Sequence, residues 1–305
     1  MNIRQFIESK LAFLAIAISA IALFYPPAFT WMRPHIPLLL GIIMFAMGMT
    51  LEAADFKRVL KQPRFLVAGI AAQYAIMPLL GLLIGKALGM NAELIAGLVL
   101  LGSCPGGTAS NVIAYLARAN IGLSVSLTLA STLLAPLLTP WLTWLYAHAE
   151  VNVNVSKMMW DVMRIVLVPI ILGVTMRTIS GSKIKPLIGF FPLLSAGIIL
   201  AVIACVVALN AGNIVNASLT VAIAVIIHNA AGLTLGYAIG AMLSGDKAIR
   251  RTLAIEVGMQ NSGLALALAL KSTGFGALAA LPSALFSVWH NITGTALAAR
   301  WSKDK

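Results

Sequence analysis

The sequence predicts an all-α polytopic membrane protein with ten transmembrane helices, and three observations lead to this fold class. Of the 305 residues, 60% are apolar and only 10% are charged, and the mean hydropathy is +0.97. Soluble domains carry about 25% charged residues, so a soluble, disordered or disulfide-stapled protein is excluded. The apolar residues form unbroken runs of about 20 residues, as in membrane-spanning helices, whereas β-barrels have alternating segments of about ten.

Ten apolar segments stand out when hydropathy is averaged over a window of about 19 residues. They cover residues 12–30, 36–53, 65–89, 93–117, 121–147, 158–178, 187–209, 217–243, 247–271 and 275–300. The first segment follows Arg4 and Lys10, as a signal peptide would, but its apolar stretch is longer than that of a signal peptide. The prolines Pro26 and Pro27 also make a poor cleavage site, so we count this segment as a span.

The basic residues are distributed unevenly among the connections between these segments. If the N-terminus is cytoplasmic, sixteen of the 21 Lys and Arg residues fall on the inside and four on the outside. Cytoplasmic loops of membrane proteins carry such an excess, so we predict that both termini are cytoplasmic. The same distribution accounts for the net charge of +12 without a nucleic-acid partner.

The two halves of the chain resemble each other. The segment from Gly81 to Gly85 matches the segment from Gly236 to Gly240, which lies 155 residues further on. An odd number of crossings reverses the direction of the chain, so a repeat of five spans must be inverted. Inverted repeats are typical of transporters, whose sites lie near the bilayer midplane. We therefore predict one transporter domain, 1–305, built from two five-helix repeats, 12–147 and 158–300.

The fourth and ninth predicted spans are each interrupted halfway along. In the fourth, Pro105 removes an amide donor, and Gly106 and Gly107 can adopt conformations closed to other residues. In the ninth, the interruption lies between Gly258 and Gly263. Unwound backbone at this depth is tolerated only where it is buried in protein or lines a watery cavity. Two breaks at matching positions therefore favour a binding site over a simple packing kink.

Glu256 is the single acidic residue deep inside a predicted span, and it lies at the ninth-span break. Burying a charge there costs at least about 2.5–3.5 kcal/mol, so the carboxylate must bind a cation or be protonated. No Lys or Arg lies at a comparable depth in the sequence; neutral oxygens are found instead. They belong to Gln73, Ser110, Asn111, Ser124, Thr128, Gln260 and Asn261. One carboxylate among neutral oxygens suits a monovalent hard cation, although Ser124 and Thr128 could equally bond to carbonyls of their own helix.

The two interrupted segments resemble the bile acid:sodium symporter family, specifically bacterial homologues of the apical sodium-dependent bile acid transporter. The specific motifs are Pro-Gly-Gly-Thr-Ala-Ser-Asn at 105–111 and Glu-Val-Gly-Met-Gln-Asn-Ser-Gly at 256–263, and the similarity covers the whole chain. The resemblance implies a core from 65–147 and 217–300, in which the broken helices cross, and a panel from 12–53 and 158–209. It also implies a multi-pass protein of the bacterial inner (cytoplasmic) membrane.

The resemblance further implies two sodium sites that share Glu256, and no residue departs from the family pattern at these positions. The first site would be formed by Ser110, Asn111, Ser124, Thr128 and Glu256. The second would be formed by Gln73, Glu256, Gln260 and the main-chain carbonyls of Val257 and Met259. The substrate cavity would be lined by Thr108, Asn261, His290 and Asn291.

We therefore expect a sodium-coupled symporter of organic anions, bile-acid-like or smaller carboxylates, that works by alternating access in a lipid bilayer. Two Na⁺ ions against one carboxylate leave positive charge at the crossing, and the helix that begins near Thr108 adds amide donors, so the substrate is expected to be anionic. Na⁺ is the coupling ion and no other cofactor is expected.

Two alternative functions use the same residues. In the first, a proton-coupled carrier or cation/proton exchanger, Glu256 would titrate, but proton relays need titratable groups rather than the hydroxyls and amides found here. In the second, an intramembrane hydrolase, Ser103 or Ser110 would be the nucleophile, but no Gly-x-Ser-x-Gly motif is present, so we expect no enzyme. A channel is disfavoured because paired broken helices are typical of carriers.

Two further polar residues have structural interpretations. Asp161 precedes Arg164 by three residues, a spacing that predicts an ion pair along one helix. His228 lies 155 residues after Gln73, and we expect it to be a buried, hydrogen-bonded core histidine.

Overall fold

The computed structural model describes residues 14, 17–51, 62–107, 109–181, 189–212, 214–271 and 274–303, and these residues form helices without a β-strand. We label the helices in chain order. They are α1 (17–24), α2 (Ile36–Thr50), α3 (Pro63–Ala87), α4 (Ala92–Ser103), α5 (Ser110–Leu116), α6 (Ile121–Ala147), α7 (Val155–Ser180), α8 (Phe191–Leu209), α9 (Ile214–Leu243), α10 (Lys247–Gly258), α11 (Ser262–Lys271) and α12 (Leu281–Trp301). A helical turn, Pro27–Thr30, and a 3₁₀ turn, Arg33–His35, precede α2, and a 3₁₀ turn, Ala277–Ala280, precedes α12.

Five helical stretches in the described part of the chain are long and apolar enough to cross a membrane. They are Pro27–Thr50, Pro63–Ala87, Ile121–Ala147, Val155–Ser180 and Leu219–Leu243. The helices α4, α8 and α11 are apolar but shorter. The chain is therefore an all-helical membrane protein, while ten crossings and the inverted orientation of the repeats stay predictions.

The helix boundaries follow the predicted segments closely. The predicted fifth segment is α6, and the predicted fourth and ninth segments are each divided into two helices, α4 with α5 and α10 with α11. The first segment differs, because α1 ends at residue 24 rather than continuing to 30. Pro26 and Pro27 have no N–H to donate, so the helix cannot pass through them.

Helix α7 contains a π-helical turn, Met163–Leu167, that the sequence analysis did not predict. Pro169 follows this turn, and its missing N–H removes a regular helical hydrogen bond at this point. The guanidinium of Arg164 lies over the ring of Trp160, 5.1 Å from its centroid. The predicted pair between Arg164 and Asp161 is therefore wrong: Asp161 Oδ1 pairs with Lys271 Nζ, 2.8 Å away at the end of α11.

Helices α3 and α4 pack against each other in the same way as α9 and α10. A β carbon on Gly81 of α3 would lie 2.7 Å from the carbonyl oxygen of Leu98, and one on Gly236 of α9 would meet the carbonyl of Leu253. Both members of the second pair lie 155 residues after those of the first. The repeated sequence therefore corresponds to a repeated close contact between helices, for which glycine is required in both halves.

The helices α4 and α10, which run into the two breaks, begin with matching caps. The side chain of Asn91 accepts a hydrogen bond from the Leu94 amide at 3.0 Å, and that of Asp246 accepts from the Ala248 amide at 2.8 Å. These caps satisfy amides that the first helical turn leaves without a partner. The two capping residues are again 155 residues apart, so both helices start at equivalent positions.

Candidate functional site

The two interrupted segments contact each other directly. The Gly107 amide donates to the Met259 carbonyl at 2.9 Å, and the Asn261 amide donates to the Pro105 carbonyl at 2.8 Å. These two hydrogen bonds enclose an antiparallel bridge between the extended backbones. The break between α4 and α5 and the break between α10 and α11 therefore form one structure, as the crossing of broken helices requires.

Glycine is needed at this contact because the backbones approach too closely for a side chain. A β carbon on Gly107 would lie 2.7 Å from the Gln260 carbonyl oxygen. One on Gly106 would lie 3.2 Å from Oε2 of Glu256. We call the break between α4 and α5 the first break and the break between α10 and α11 the second break. The two glycines let the first break lie directly over the second break and over the Glu256 carboxylate.

Glu256 is 4% exposed, and its carboxylate points towards α6. The Ser124 hydroxyl donates to Oε1 at 2.6 Å, and the Thr128 hydroxyl donates to Oε2 at 2.7 Å. These two residues lie one turn apart on α6, so each reaches one oxygen of the same carboxylate. Their hydroxyls therefore bond to the carboxylate rather than to carbonyls of their own helix, although the sequence allowed either arrangement.

Two residues at the start of α5 complete this group. Asn111 Oδ1 lies 2.9 Å from the Ser124 hydroxyl and 3.4 Å from the Thr128 hydroxyl, and the Ser110 hydroxyl lies 3.4 Å from that of Thr128. All five residues predicted for the first sodium site are thus brought together from α5, α6 and α10. We call Ser110, Asn111, Ser124, Thr128 and Glu256 the carboxylate cluster.

The carboxylate cluster has more hydrogen-bond acceptors than donors. A hydroxyl carries one hydrogen, so Ser124 cannot donate to Glu256 and to Asn111 Oδ1 at the same time, and Thr128 has the same choice. Within the part of the chain that the structure describes, no Lys or Arg forms an ion pair with Glu256. A small cation would supply the positive charge that these oxygens lack.

A second group of polar side chains lies beside the breaks and has no such deficit. Gln73 Nε2 donates to Gln260 Oε1 at 2.5 Å, and Gln260 Nε2 donates back to Gln73 Oε1 at 3.1 Å. The remaining hydrogens reach carbonyls, from Gln73 to Cys104 at 2.8 Å and from Gln260 to Val257 at 2.7 Å. We call Gln73 and Gln260 the amide pair, and its oxygens are satisfied by its own hydrogens.

The structure therefore brings the predicted second site only partly together. Gln73, Gln260 and the Val257 carbonyl are in contact, but the Glu256 carboxylate is hydrogen-bonded to α6 instead. The Met259 carbonyl accepts from the Gly107 amide. In this arrangement the shared carboxylate belongs to the carboxylate cluster.

The predicted substrate residues differ in how their polar atoms are used. Asn261 caps α11 through Oδ1, which accepts from the Leu264 amide at 3.1 Å, while its buried Nδ2 has no hydrogen-bond partner among the described residues. His290 is buried with Nδ1 equally without a partner there. Asn291 is half-buried and donates to the Ser287 carbonyl at 2.7 Å. Thr108 lies outside the described residues.

Helices α11 and α12 hold these residues on adjacent elements. The Ser262 and Ser287 hydroxyls lie 2.6 Å apart, which joins the first turn of α11 to the turn of α12 that precedes His290. The residue before His290 on α12, Trp289, lines an apolar cavity of about 390 Å³ between α1, α8, α9 and α12. The indole N–H of Trp289 has no hydrogen-bond partner in the described part of the chain.

Sequence reasoning missed two residues that support the second break. Asn229 Nδ2 donates to the carbonyl of Gly258, the last residue of α10, at 2.8 Å, and Thr293 donates to Asn229 Oδ1 at 2.7 Å. The signal in the sequence was a second polar residue beside His228 in an otherwise apolar helix. His228 itself is buried and its Nε2 is hydrogen-bonded to the Met77 carbonyl at 2.9 Å, as predicted, but its Nδ1 has no hydrogen-bond partner among the described residues.

Comparison with known proteins gives a consistent result along the chain. Residues 37–217 match the sodium bile acid symporter family. The chain is 40% identical to an uncharacterized sodium-dependent transporter, YocS, of Bacillus subtilis (strain 168), over 99% of this chain and 94% of that protein. It is 38% identical to a probable sodium/metabolite cotransporter, chloroplastic BASS1 of Oryza sativa subsp. japonica, over 92% of this chain and 70% of that protein. It is 36% identical to a probable sodium/metabolite cotransporter, chloroplastic BASS1 of Arabidopsis thaliana, over 93% of this chain and 71% of that protein.

Proposed function

The chain belongs to the sodium bile acid symporter family and is a sodium-dependent transporter rather than an enzyme, and we propose that it couples Na⁺ entry to the uptake of a small organic anion. The single observation that carries the choice of ion is the carboxylate cluster. One buried carboxylate lies there among hydroxyl and amide oxygens, and the Ser124 and Thr128 hydroxyls each have two acceptors for a single hydrogen. Hard oxygen ligands with one negative charge suit Na⁺.

The second Na⁺ would bind at the amide pair, with Glu256 shared between the two ions. Its ligands would be the oxygens of Gln73 and Gln260 together with the carbonyls of Val257 and Met259. Binding there requires that the hydrogen bonds between Gln73 and Gln260 be exchanged for metal contacts. The site therefore forms only when the ion arrives.

An anionic substrate follows from the charge balance at the breaks. Two Na⁺ ions against the Glu256 carboxylate leave one positive charge, which attracts an anion into the neighbouring cavity. Asn261 Nδ2 and His290 Nδ1 are polar atoms beside the breaks that have no hydrogen-bond partner among the described residues, and the segment at Thr108 would add main-chain amides. The apolar cavity beside Trp289 suits the hydrocarbon part of a bile-acid-like molecule or of a smaller carboxylate.

Transport would proceed by alternating access. The predicted core, which contains the crossed breaks, moves against the predicted panel. The two five-helix repeats are inverted with respect to each other, and the protein lies in the inner membrane of a bacterium. Sodium binding orders the break segments and so shapes the anion site. Bound Na⁺ therefore raises the affinity for the anion, and bound anion raises the affinity for Na⁺ by the same factor. Two Na⁺ ions with one monovalent anion move one net positive charge, worth about 2.3 kcal/mol per 100 mV, so uptake should increase with an inside-negative potential.

The test is uptake by the purified protein in liposomes under an inward Na⁺ gradient, with K⁺ replacing Na⁺ as the control. The probes are radiolabelled taurocholate and a set of short monocarboxylates. Sodium-dependent accumulation of at least one probe supports the proposal. Uptake driven by a pH gradient in sodium-free medium would support the proton-coupled alternative, and no effect of Na⁺ on any probe or on thermal stability would refute sodium coupling.

A further inference from the structure

We propose that Asn229 and Thr293 are positioning residues that hold the end of α10 in the geometry needed for sodium binding, an inference that rests on the proposed function. Asn229 lies in α9 and is fully buried. Among the described residues its side chain forms no hydrogen bond with a predicted sodium ligand, yet it binds the carbonyl of Gly258, which lies between Val257 and Met259.

The orientation of the Asn229 amide is fixed by its two partners. A carbonyl can only accept, so the nitrogen must face Gly258 at 2.8 Å. The oxygen then faces Thr293, whose hydroxyl must donate to it at 2.7 Å. The three groups therefore form one directed chain of hydrogen bonds, from α12 through α9 to the tip of α10.

This chain of hydrogen bonds holds one peptide group at the tip of α10. The last carbonyls of a helix have no partner within the helix. Asn229 binds the carbonyl of Gly258 and so helps to fix the peptide plane between Gly258 and Met259, whose amide donates to the Ile255 carbonyl at 2.9 Å. The carbonyls of Val257 and Met259, which are the predicted main-chain ligands, lie on either side of this peptide group, and they accept from Gln260 Nε2 and from the Gly107 amide.

The first break has an equivalent contact with a different residue. There, Gln73 of α3 donates to the carbonyl of Cys104, the residue that follows α4. Gln73 is itself a predicted sodium ligand, so the first break is held by a group that also binds the ion. In the second half of the chain, different residues hold the break and bind the ion. Asn229 binds the carbonyl at the second break, and the predicted sodium ligands are other residues.

The chain of hydrogen bonds also reaches α12, the helix that carries the predicted substrate residues His290 and Asn291. Thr293 lies one turn after His290 on α12; its hydroxyl oxygen is 3.2 Å from the Trp289 carbonyl and 3.3 Å from the His290 carbonyl, while its one hydrogen goes to Asn229. A movement of this turn would therefore be felt at Gly258 through two hydrogen bonds. The residues of the chain connect the anion side of the breaks to the sodium side.

The experiment measures the Na⁺ concentration that gives half of the maximal thermal stabilisation of the purified protein, with choline chloride keeping the ionic strength constant. Thr293→Val keeps the side-chain volume but removes the donor, and we expect the sodium midpoint to rise about fivefold. Thr293→Ser keeps the hydroxyl and should stay within about twofold of the unmodified protein. Thr295→Val is the matched control, because the exposed Thr295 hydroxyl bonds only to the Asn291 carbonyl of its own helix.

A double-variant cycle tests whether the residues act as one unit. Asn229→Ala should raise the midpoint about tenfold or more, and adding Thr293→Val should raise it no further, since both act through the same contact. If Asn229→Ala does not fold, the Thr293 variants still decide the question. An unchanged midpoint in Thr293→Val, or an equal rise in Thr295→Val, would overturn the inference, whereas absence of any sodium response in the unmodified protein would instead refute the proposed function.

Discussion

The carboxylate cluster and the amide pair lie against the same crossed breaks but differ in how their oxygens are satisfied. In the cluster, three hydroxyls and one amide oxygen surround a carboxylate that has no cationic partner among the described residues. In the amide pair, Gln73 and Gln260 bond to each other and to carbonyls, so their hydrogens are used. An ion that enters the cluster displaces hydroxyl hydrogens, which can turn away while their oxygens stay in place, whereas an ion that enters the amide pair must separate two amides that are bonded to each other.

This difference indicates an order of events. The cluster has its ligands in place before the ion arrives, so less ordering free energy is spent on binding. The amide pair needs a rearrangement that lowers its apparent affinity. We therefore expect the first Na⁺ to bind at the cluster and the second, weaker one to complete the anion site.

The largest effect is expected from Glu256→Gln, which removes the carboxylate on which the cluster depends. A unit charge pair about 4 Å apart is worth about 4 kcal/mol at an intermediate dielectric, so the sodium midpoint should rise at least about 100-fold and sodium-stimulated uptake should be lost. The added amide supplies donors to an acceptor-rich group, so the variant should be at least as heat-stable as the unmodified protein without Na⁺. The matched control is Glu150→Gln, which removes a carboxylate paired with Lys86 at 3.6 Å outside the breaks. Normal sodium-dependent uptake by Glu256→Gln would contradict the claim that the Glu256 carboxylate is needed for sodium binding.

A smaller effect is expected from Ser124→Ala and Thr128→Val, which each remove one oxygen ligand from the cluster. Contacts of this kind with a charged group are worth about 1.5–3 kcal/mol, so we expect the midpoint to rise about tenfold in each. Ser126→Ala on the same helix is the control, because the Ser126 hydroxyl bonds to the Gly122 carbonyl at 2.8 Å. The sodium titration of thermal stability measures all three, and equal midpoints would remove the two hydroxyls from the site.

Gln73→Ala should act on the second step only. We expect the overall midpoint to rise about fivefold and the Hill coefficient of sodium-dependent uptake to fall from near two towards one, while the first binding step is kept. Tyr74→Phe serves as the control, since the Tyr74 hydroxyl bonds to the Ser131 carbonyl at 2.7 Å and belongs to neither group. If Gln73→Ala leaves the cooperativity unchanged, the amide pair is not a sodium site.

The smallest effect on sodium binding is expected from Asp161→Asn, which is remote from both groups. It removes the partner of Lys271, and the loss of this partly exposed pair should reduce the free energy of unfolding by about 1–3 kcal/mol. The sodium midpoint should not move, and Lys271→Gln should behave similarly. A shift in the midpoint would mean that sodium binding extends beyond the breaks.

Much of the fold could be predicted because its signals are local. Hydropathy located α6 at its observed bounds, and Pro105 with its following glycines located a break. The grouping of Asn111, Ser124 and Thr128 around one carboxylate came from the family resemblance rather than from spacing. Their proximity in the structure agrees with it, whereas their role as sodium ligands stays a prediction.

The features that sequence reasoning missed depend on residues far apart in the chain. Asp161 pairs across 110 positions with Lys271 rather than with Arg164, because the helices α7 and α11 meet at that point. Nothing local in the sequence gives the partner of Asn229 or the direction in which the Glu256 carboxylate turns. Both depend on which helices pack together, and periodicity within one helix carries no such information.

The two hydrogen bonds between Gly107 and Met259 and between Asn261 and Pro105 have a mechanical consequence. The extended segments cannot slide along each other without losing both bonds, and they lie too close for a β carbon at Gly107. The tips of four half-helices are thereby joined into one rigid hub. In the proposed transport cycle we therefore expect this hub to move as a unit, with bending confined to the segments that connect it to the other helices.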